Sequence, residues 1–124
     1  MCRVDDTVWI GDSLGRVTVY CASTCSTEWT WDISSSLGGQ TSAVTAMLHL
    51  HNIHRVALAL HCGRLLLVSS SQPEDEGSFI LTELGTATEL NCLAGVPTGD
   101  GWEVWAGGDS LSVYSVARGG VVAA

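Results

Sequence analysis

Lysine is absent from the sequence, and the five basic side chains are arginines that stand apart from one another. Nucleic-acid binding and electrostatic attachment to a membrane both depend on clustered positive charge. The formal net charge is −8, and excess acidity chiefly keeps a protein soluble. We therefore expect neither nucleic acid nor a membrane among the partners, and the acidity by itself indicates no particular partner.

Long apolar runs are also absent, since the longest are Val56–Leu60 and Leu65–Val68. Both are far shorter than the roughly 20 residues of a membrane-spanning helix, and the N-terminus lacks the apolar stretch of a secretion signal. The five cysteines are an odd number, which does not suit a full set of disulfides. These features predict a cytoplasmic protein with reduced thiols, and the apolar fraction of 46% predicts a folded core.

A hairpin pattern occurs three times along the chain. The segments Val8–Tyr20 and Val56–Val68 align without a gap at an offset of 48 residues. A third segment, Val104–Val116, begins 96 residues after the first and is about one residue shorter in its turn. In each copy an apolar strand leads into a turn rich in Gly, Asp and Ser, and a strand of branched and aromatic residues follows, which is typical of a β-hairpin.

Four further segments have the pattern of strands. Glu28–Ile33 alternates apolar and polar residues, and Ser78–Leu84 occupies the same place in the next repeat. Ala43–Leu50 and Leu90–Val96 each lead into a hairpin. The total is ten strands. A set of four strands recurs about every 48 residues, and a four-stranded sheet of about this length is the repeating unit of a β-propeller.

The predicted fold is therefore all-β, with antiparallel four-stranded propeller blades and about two and a half blades in all. Residues 1–40 are expected to form a partial blade, 41–88 a complete blade and 89–124 a second partial blade. Propellers close with about four to eight blades, so the outer blades should expose apolar faces that the remaining blades of a longer parent chain would cover. The alternatives are a ten-stranded sandwich or open barrel, and an incomplete gene product without an independent role.

The repeat resembles the divergent WD-repeat-like propellers of large signalling proteins. Val8-Trp9-Ile10-Gly11 is followed by a turn, a glycine and the alternating strand Arg16–Tyr20, and Val104-Trp105-Ala106-Gly107 repeats its start. The pattern is most similar to the C-terminal propeller of Rho guanine-nucleotide exchange factors, and it is also similar to propellers of JNK-interacting scaffold proteins and leucine-rich-repeat kinases. This resemblance implies a non-catalytic scaffold segment whose exchange module lies elsewhere in the parent. The chain departs from common WD repeats in lacking a recurring Gly-His and terminal Trp-Asp pair.

One segment matches the sequence pattern of a catalytic motif. Gly11-Asp12-Ser13-Leu14-Gly15 fits the G-x-S-x-G nucleophile elbow of α/β-hydrolases and opens with the Gly-Asp-Ser-Leu string of another esterase family. An elbow needs a helix after the serine, whereas Arg16–Tyr20 alternates as a strand. No histidine follows His61, and none has the Asp three residues earlier that the second family uses. Because Gly108–Leu111 repeats the string in the corresponding turn, we interpret both as turns; a serine esterase using Ser13 is the alternative.

Two groups of residues resemble metal ligands. Four histidines fall within thirteen residues beside Cys62: His49, His51, His54 and His61. Cys21 and Cys25 form a C-x3-C pair, and imidazole and thiolate both suit zinc. Neither spacing matches a paired zinc-ligand motif, and the acidic run Glu74-Asp75-Glu76 lacks the alternating oxygen ligands of a calcium loop. We therefore predict no metal, cofactor or catalytic residue.

The sequence contains five tryptophans. Trp9 and Trp105 hold equivalent positions in the repeat, so we expect both to pack between blades. Trp29, Trp31 and Trp102 are less constrained, and they are the predicted interaction residues because exposed tryptophans often dominate protein-binding surfaces. The predicted function is protein recognition through loops at the ends of the blades, which a rigid sheet presents to partners.

Overall fold

A computed structural model describes residues 1–33, 42–51, 53–70, 80–85, 89–99, 101–108, 110–117 and 120–123. Twelve β-strands lie in this part of the chain. They form three four-stranded antiparallel sheets, in each of which strands that are neighbours in the chain are hydrogen-bonded neighbours. We refer to these sheets as blade 1, blade 2 and blade 3.

Each blade takes its strands in chain order. Blade 1 contains β1 (Cys2–Val4), β2 (Thr7–Gly11), β3 (Arg16–Cys21) and β4 (Thr27–Asp32). Blade 2 contains β5 (Val44–Leu50), β6 (Arg55–Leu60), β7 (Arg64–Ser69) and β8 (Ile80–Gly85). Blade 3 contains β9 (Leu90–Pro97), β10 (Gly101–Gly108), β11 (Leu111–Ala117) and β12 (Gly120–Ala123).

The all-β class and the antiparallel blades are confirmed, and the strand count is higher than the predicted ten. The additional strands are β1, which pairs with β2, and β12, which pairs with β11. The first is three residues long and the second four, so neither is long enough to show the alternation from which a strand is predicted. The three sheets span residues 2–32, 44–85 and 90–123, and each of them has four strands.

The hairpin turn of blade 3 is shorter than predicted. Five residues separate the paired Gly11 and Val17 in blade 1, and three separate the paired Gly107 and Leu111 in blade 3. The difference is therefore two residues, where the sequence alignment indicated about one. Consequently, Val113 of blade 3 corresponds to Val19 of blade 1, since each pairs with the tryptophan of its hairpin.

Blade 2 is buried on both of its faces. All five residues of Val56–Leu60 in β6 have 0% of their surface exposed. Successive residues of a strand point to opposite faces of the sheet, and here Val56 and Leu58 pack toward blade 1 whereas Ala57 packs toward blade 3. The continuous apolar run in the sequence thus reflects a strand with a neighbouring blade on either side.

Two apolar cores result, one on each side of blade 2. The first joins blades 1 and 2, and its buried members are Val4, Trp9, Val17, Val19, Trp31, Ile33, Val56, Leu58, Leu60, Leu66 and Val68. The second joins blades 2 and 3, and its buried members are Leu50, Ile53, Ala57, Ala59, Leu65, Leu67, Leu90, Trp102, Val104, Ala106, Tyr114 and Val116. The stability of each blade therefore depends on the blade beside it.

Each blade has two faces, which are defined by the neighbouring blade that each of them meets. We call the side that meets the following blade the forward face; Trp9 and Val19 lie on it in blade 1, and Ala57 and Leu67 in blade 2. We call the side that meets the preceding blade the backward face. It carries Val56, Leu58 and Val68 in blade 2, and Val104, Ala106 and Tyr114 in blade 3.

Candidate interaction surface

The predicted interaction residues lie in different environments. Trp31 is 2% exposed within the first core and Trp102 is 7% exposed within the second. Both are therefore buried by packing between blades, and their role as interaction residues stays a prediction. Trp29 is half-buried and borders an open cleft. Trp105, which was predicted to pack between blades, is 38% exposed in this chain, whereas Trp9 is fully buried as expected.

A cleft of about 280 Å³ opens at the end of blade 1 where it meets blade 2. We call it the Trp29 cleft. Its walls come from β1, β2, β3, the start of β4 and one residue beyond β7, namely Val4, Asp5, Asp6, Thr7, Trp9, Val19, Glu28, Trp29 and Ser70. The Trp29 ring stands edge-on to the Trp9 ring, with centroids 5.3 Å apart and planes at 81°. This packing fixes the tryptophan that borders the opening.

The rim of the Trp29 cleft is acidic. Asp5, Asp6 and Glu28 line it, and all three residues are exposed. Asp5 has a φ of 52°, a left-handed conformation that Asp tolerates better than most residues do. The Asp6 carbonyl accepts a hydrogen bond of 2.9 Å from the Ala22 amide, which ties the β1–β2 turn to the end of β3. The cleft therefore presents two carboxylates from the β1–β2 turn and one from the start of β4 beside an aromatic wall.

Ser13 lies in the exposed turn between β2 and β3. The Asp12 carboxylate organises this turn, because its Oδ1 accepts bonds of 2.9 Å from the amides of Leu14 and Arg16. Its Oδ2 lies 3.0 Å from Arg16 Nε. The bond from the Arg16 amide is the main cause that lowers the pKa of Asp12. A strand follows this serine, so the turn lacks the helix that a nucleophile elbow requires.

The two glycines of this turn have structural roles. Gly15 has a φ of 82°, and a Cβ there would lie 2.7 Å from the Ser42 carbonyl oxygen. A Cβ on Gly11 would lie 2.6 Å from Val44 at the start of blade 2. The Val44 amide also donates to the Asp12 carbonyl at 3.1 Å. Packing between blades therefore accounts for the two glycines of the esterase-like string, and hydrogen bonds within the turn account for its aspartate.

The corresponding turn of blade 3 is stabilised in another way. The Gly108 amide donates to the Ser110 carbonyl at 3.1 Å, and a Cβ on Gly108 would overlap the Glu89 carbonyl. Asp109 lies outside the described residues, as does the predicted acidic loop Glu74-Asp75-Glu76. Both Gly-Asp-Ser-Leu strings thus begin with a glycine at which an added Cβ would clash, with the Val44 side chain at Gly11 and with the Glu89 backbone at Gly108.

The histidines make separate contacts. The His51 ring stands edge-on to Trp102 with centroids 5.1 Å apart, and the His49 ring lies 6.2 Å from His51. His61 Nε2 lies 3.5 Å from a carboxylate oxygen of Glu89. Burial is the main cause that lowers the pKa of His49. Within the described residues, no three His, Cys, Asp or Glu side chains are grouped so that they could hold a metal ion.

Cys21 is expected to be unusually reactive. Its Sγ lies 3.3 Å from Ser23 Oγ, and hydrogen bonds with Ser23 and Thr24 lower the pKa of the thiol to about 7. The rate of iodoacetamide alkylation at Cys21 should therefore be half-maximal near pH 7, because the thiolate is the nucleophile. An ordinary cysteine would reach this point near pH ~8.5.

Fragment-ion mass spectrometry can follow this alkylation and separate Cys21 from Cys25. Ser23→Ala should move the midpoint of the Cys21 profile to higher pH, since it removes the leading cause of the low pKa. An unchanged midpoint in this variant would contradict the assignment. Burial raises the pKa of Cys2, so that thiol should react slowly at the same pH.

The comparisons with known proteins concern the fold. No protein-family model matches the chain, and no curated protein matches its sequence. Among solved structures, Sqt1 of Saccharomyces cerevisiae matches 93% of this chain and 28% of its own, with a TM-score of 0.67 and 15% identity. BBS1N in complex with ARL6DN matches 94% of this chain and 38% of its own, with a TM-score of 0.63 and 11% identity.

Both similarities support a β-propeller fold. The chain spans less than two fifths of the length of either structure. In the described ranges, none of the elements is a helix that is long and apolar enough to cross a bilayer. The three blades, their packing and these two structures lead to one conclusion: the chain has the fold of a segment of a β-propeller.

Proposed function

We propose that this chain is a non-catalytic, protein-binding segment of a β-propeller in a larger cytoplasmic signalling protein. The resemblance of its repeat to the propeller of Rho guanine-nucleotide exchange factors makes such a factor the first candidate for the parent. A JNK-pathway scaffold and a leucine-rich-repeat kinase are the alternatives. The sequence of the transcript beyond both ends of this chain tests the parent, since each family carries a different catalytic or coiled-coil neighbour.

The Trp29 cleft is the observation that carries the binding function. It combines an aromatic wall that is held in place by Trp9 with three exposed carboxylates, on Asp5, Asp6 and Glu28. Arginine and lysine side chains bind to aromatic faces and form charge-assisted hydrogen bonds with carboxylates. A basic segment of a partner protein is therefore the ligand that fits best.

Charge-neutralising variants test this function with little effect on the fold. Asp5→Asn keeps a residue that tolerates the left-handed backbone, and Glu28→Gln keeps the size of an exposed side chain. The probe is a fluorescein-labelled nonapeptide that alternates Arg and Ser, and its affinity is measured by fluorescence anisotropy. We expect the double variant to bind the peptide at least about tenfold more weakly at low salt, since the Coulomb attraction of close charge pairs is lost.

Two controls belong to this experiment. The same peptide with Glu in place of Arg should not bind, and Asp32→Asn, which neutralises an exposed carboxylate away from the cleft lining, should change the affinity less than twofold. Equal losses for Asp32→Asn and for the cleft variants would show that only the overall charge matters, and the cleft would then not be the binding site.

A further inference from the structure

Two of the five cysteines lie near the two ends of one tight turn. Cys21 is the last residue of β3, and Cys25 lies two residues before β4 begins. The Cys25 amide donates a hydrogen bond of 2.8 Å to the Cys21 carbonyl, and the Cys21 amide donates one of 2.8 Å to the Ser26 carbonyl. Cys25 has a φ of 60°, a left-handed conformation that turns the chain back into β4. We call residues 21–26 the thiol turn.

The thiol turn holds the two cysteines nearly close enough for a disulfide. The hydrogen bond from the Cys25 amide to the Cys21 carbonyl is that of a single helical turn, in which residues four apart have Cβ atoms about 5–6 Å apart. Both cysteines also border the same depression beside the end of β3. A disulfide brings the Cβ atoms to about 3.5–4.5 Å, so closure needs an approach of roughly 1–2 Å. Ala22, Ser23 and Thr24 are exposed and belong to neither core, so the turn can adjust without repacking of the blades.

Exposure of the thiol turn does not depend on the blades that flank blade 1. Neighbouring blades pack on the two faces of a sheet, whereas a turn lies at the end of the sheet. Blade 2 demonstrates this, because both of its faces are covered and yet His54 between β5 and β6 and Cys62 between β6 and β7 are exposed. A small oxidant therefore reaches a turn of this kind even where a blade packs on each face of the sheet.

The surroundings of Cys21 favour its thiolate. Its Sγ lies 3.3 Å from the Ser23 Oγ, and hydrogen bonds with Ser23 and Thr24 lower the pKa of the thiol to about 7. About half of Cys21 is therefore thiolate at neutral pH, compared with about 3% of an ordinary cysteine. Cys25 is exposed near the other end of the turn. Accessible thiolates that lie beside a second cysteine are the usual sites of reversible oxidation.

We propose that Cys21 and Cys25 form a reversible redox pair, which hydrogen peroxide converts into an intramolecular disulfide. In the first step the Cys21 thiolate attacks one oxygen of the peroxide. An S–O bond forms, the O–O bond breaks, and the departing hydroxide takes a proton from solvent, so that Cys21 becomes a sulfenic acid and water is released. In the second step the Cys25 sulfur attacks the sulfenic sulfur. The S–S bond forms, the S–O bond breaks, and the hydroxide leaves as water with the thiol proton of Cys25.

Electrons and protons balance over the two steps. The two thiols together lose two electrons and two protons, and one hydrogen peroxide becomes two molecules of water. A dithiol reverses the reaction by thiol–disulfide exchange, in which it is oxidised to its own disulfide while both cysteines regain their protons. Disulfides of this transient, redox-sensing kind are those that occur in the cytosol. This inference goes beyond the proposed binding function and does not rest on it.

Peptide mapping of the 124-residue protein after peroxide treatment tests the proposal. The fully reduced protein is incubated with a small excess of hydrogen peroxide at neutral pH, and the remaining thiols are then blocked with N-ethylmaleimide. Trypsin cleaves after arginine, so residues 17–55 form one peptide that contains Cys21, Cys25 and none of the other cysteines. We expect this peptide to lose two hydrogen atoms and to carry no maleimide, and dithiothreitol should restore both thiols.

Single variants separate the roles of the two cysteines. Cys25→Ser should stop the reaction at the sulfenic acid on Cys21, which dimedone traps, whereas Cys21→Ser should leave Cys25 open to N-ethylmaleimide. Ser23→Ala should slow disulfide formation at least about threefold at neutral pH, since it removes the leading cause of the low pKa of Cys21. Cys62 is the matched control within the molecule, because it is exposed and lies in another tryptic peptide, in a turn without a second cysteine. It should keep its reactivity toward N-ethylmaleimide.

Three results would overturn the proposal. They are a peptide 17–55 that still takes two maleimide groups after peroxide treatment, disulfides that join two copies of the chain in place of the intramolecular one, and a Cys25→Ser variant in which dimedone labels no Cys21. Circular dichroism of each variant establishes that the blades are folded. Affinity of the reduced protein for the arginine peptide is a separate measurement, so failure of the redox pair and failure of the binding function can be told apart.

Discussion

Replacing Trp9 by alanine should lower the free energy of unfolding by about 3–5 kcal/mol, which is the usual cost of removing a large aromatic from a core. The side chain is 0% exposed and packs where blade 1 meets blade 2. It also supports the Trp29 ring through an edge-on contact at 5.3 Å. A loss of this size approaches the whole stability of a small domain, so we expect a large shift of the urea midpoint or outright unfolding.

Urea unfolding followed by circular dichroism measures this effect without relying on tryptophan fluorescence. Leu14→Ala is the control, because Leu14 is 53% exposed and such surface changes usually stay within about 0.5 kcal/mol. A loss below about 1 kcal/mol for Trp9→Ala would mean that blades 1 and 2 do not share the core described above.

Gly15→Val should be the second most damaging single change, with a loss of about 2–4 kcal/mol. The left-handed backbone at this position disfavours a β-branched residue, and such strain alone costs about 1–3 kcal/mol. In addition, the new Cβ would lie 2.7 Å from the carbonyl oxygen of Ser42. Because that atom belongs to the backbone near the start of blade 2, the two blades would have to separate locally.

Ser13→Ala provides the comparison within the same turn. Ser13 is exposed, so its replacement should leave the free energy of unfolding within about 0.5 kcal/mol of the wild type. It should also leave any background hydrolysis of p-nitrophenyl acetate unchanged. Ester turnover that disappears in Ser13→Ala would support the esterase alternative and contradict a purely structural turn.

The repeated hairpins were the part of the fold that the sequence predicted best. The 48-residue offset between Val8–Tyr20 and Val56–Val68 located the hairpins, because buried hairpin strands keep strong apolar patterns. The short strands β1 and β12 were missed. Strands of this kind are defined by hydrogen bonds to a neighbouring strand, and the side-chain pattern carries little sign of them.

The tryptophans show a second limit of sequence reasoning. Equivalence in the repeat correctly related Trp9 to Trp105, but burial depends on whether a further blade covers the face on which each one lies. Conversely, Trp31 belongs to the apolar face of Glu28–Ile33 and Trp102 to the start of β10, and packing between blades buries both. The acidic rim of the Trp29 cleft also escaped prediction, since Asp5 lies in the β1–β2 turn and Glu28 in β4, and only the folding of blade 1 brings both to one cleft.

The double-sided burial of blade 2 has a consequence for how the molecule opens. In a linear array with nearest-neighbour coupling, an end unit can detach by breaking one boundary, whereas the middle unit must break two. Within the three blades described, amide protons of β6 and β7 should therefore exchange with solvent most slowly. Since Val56–Leu60 has neighbours on both sides, the slowest exchange there would report the global unfolding equilibrium, and exchange in the flanking blades would report partial opening.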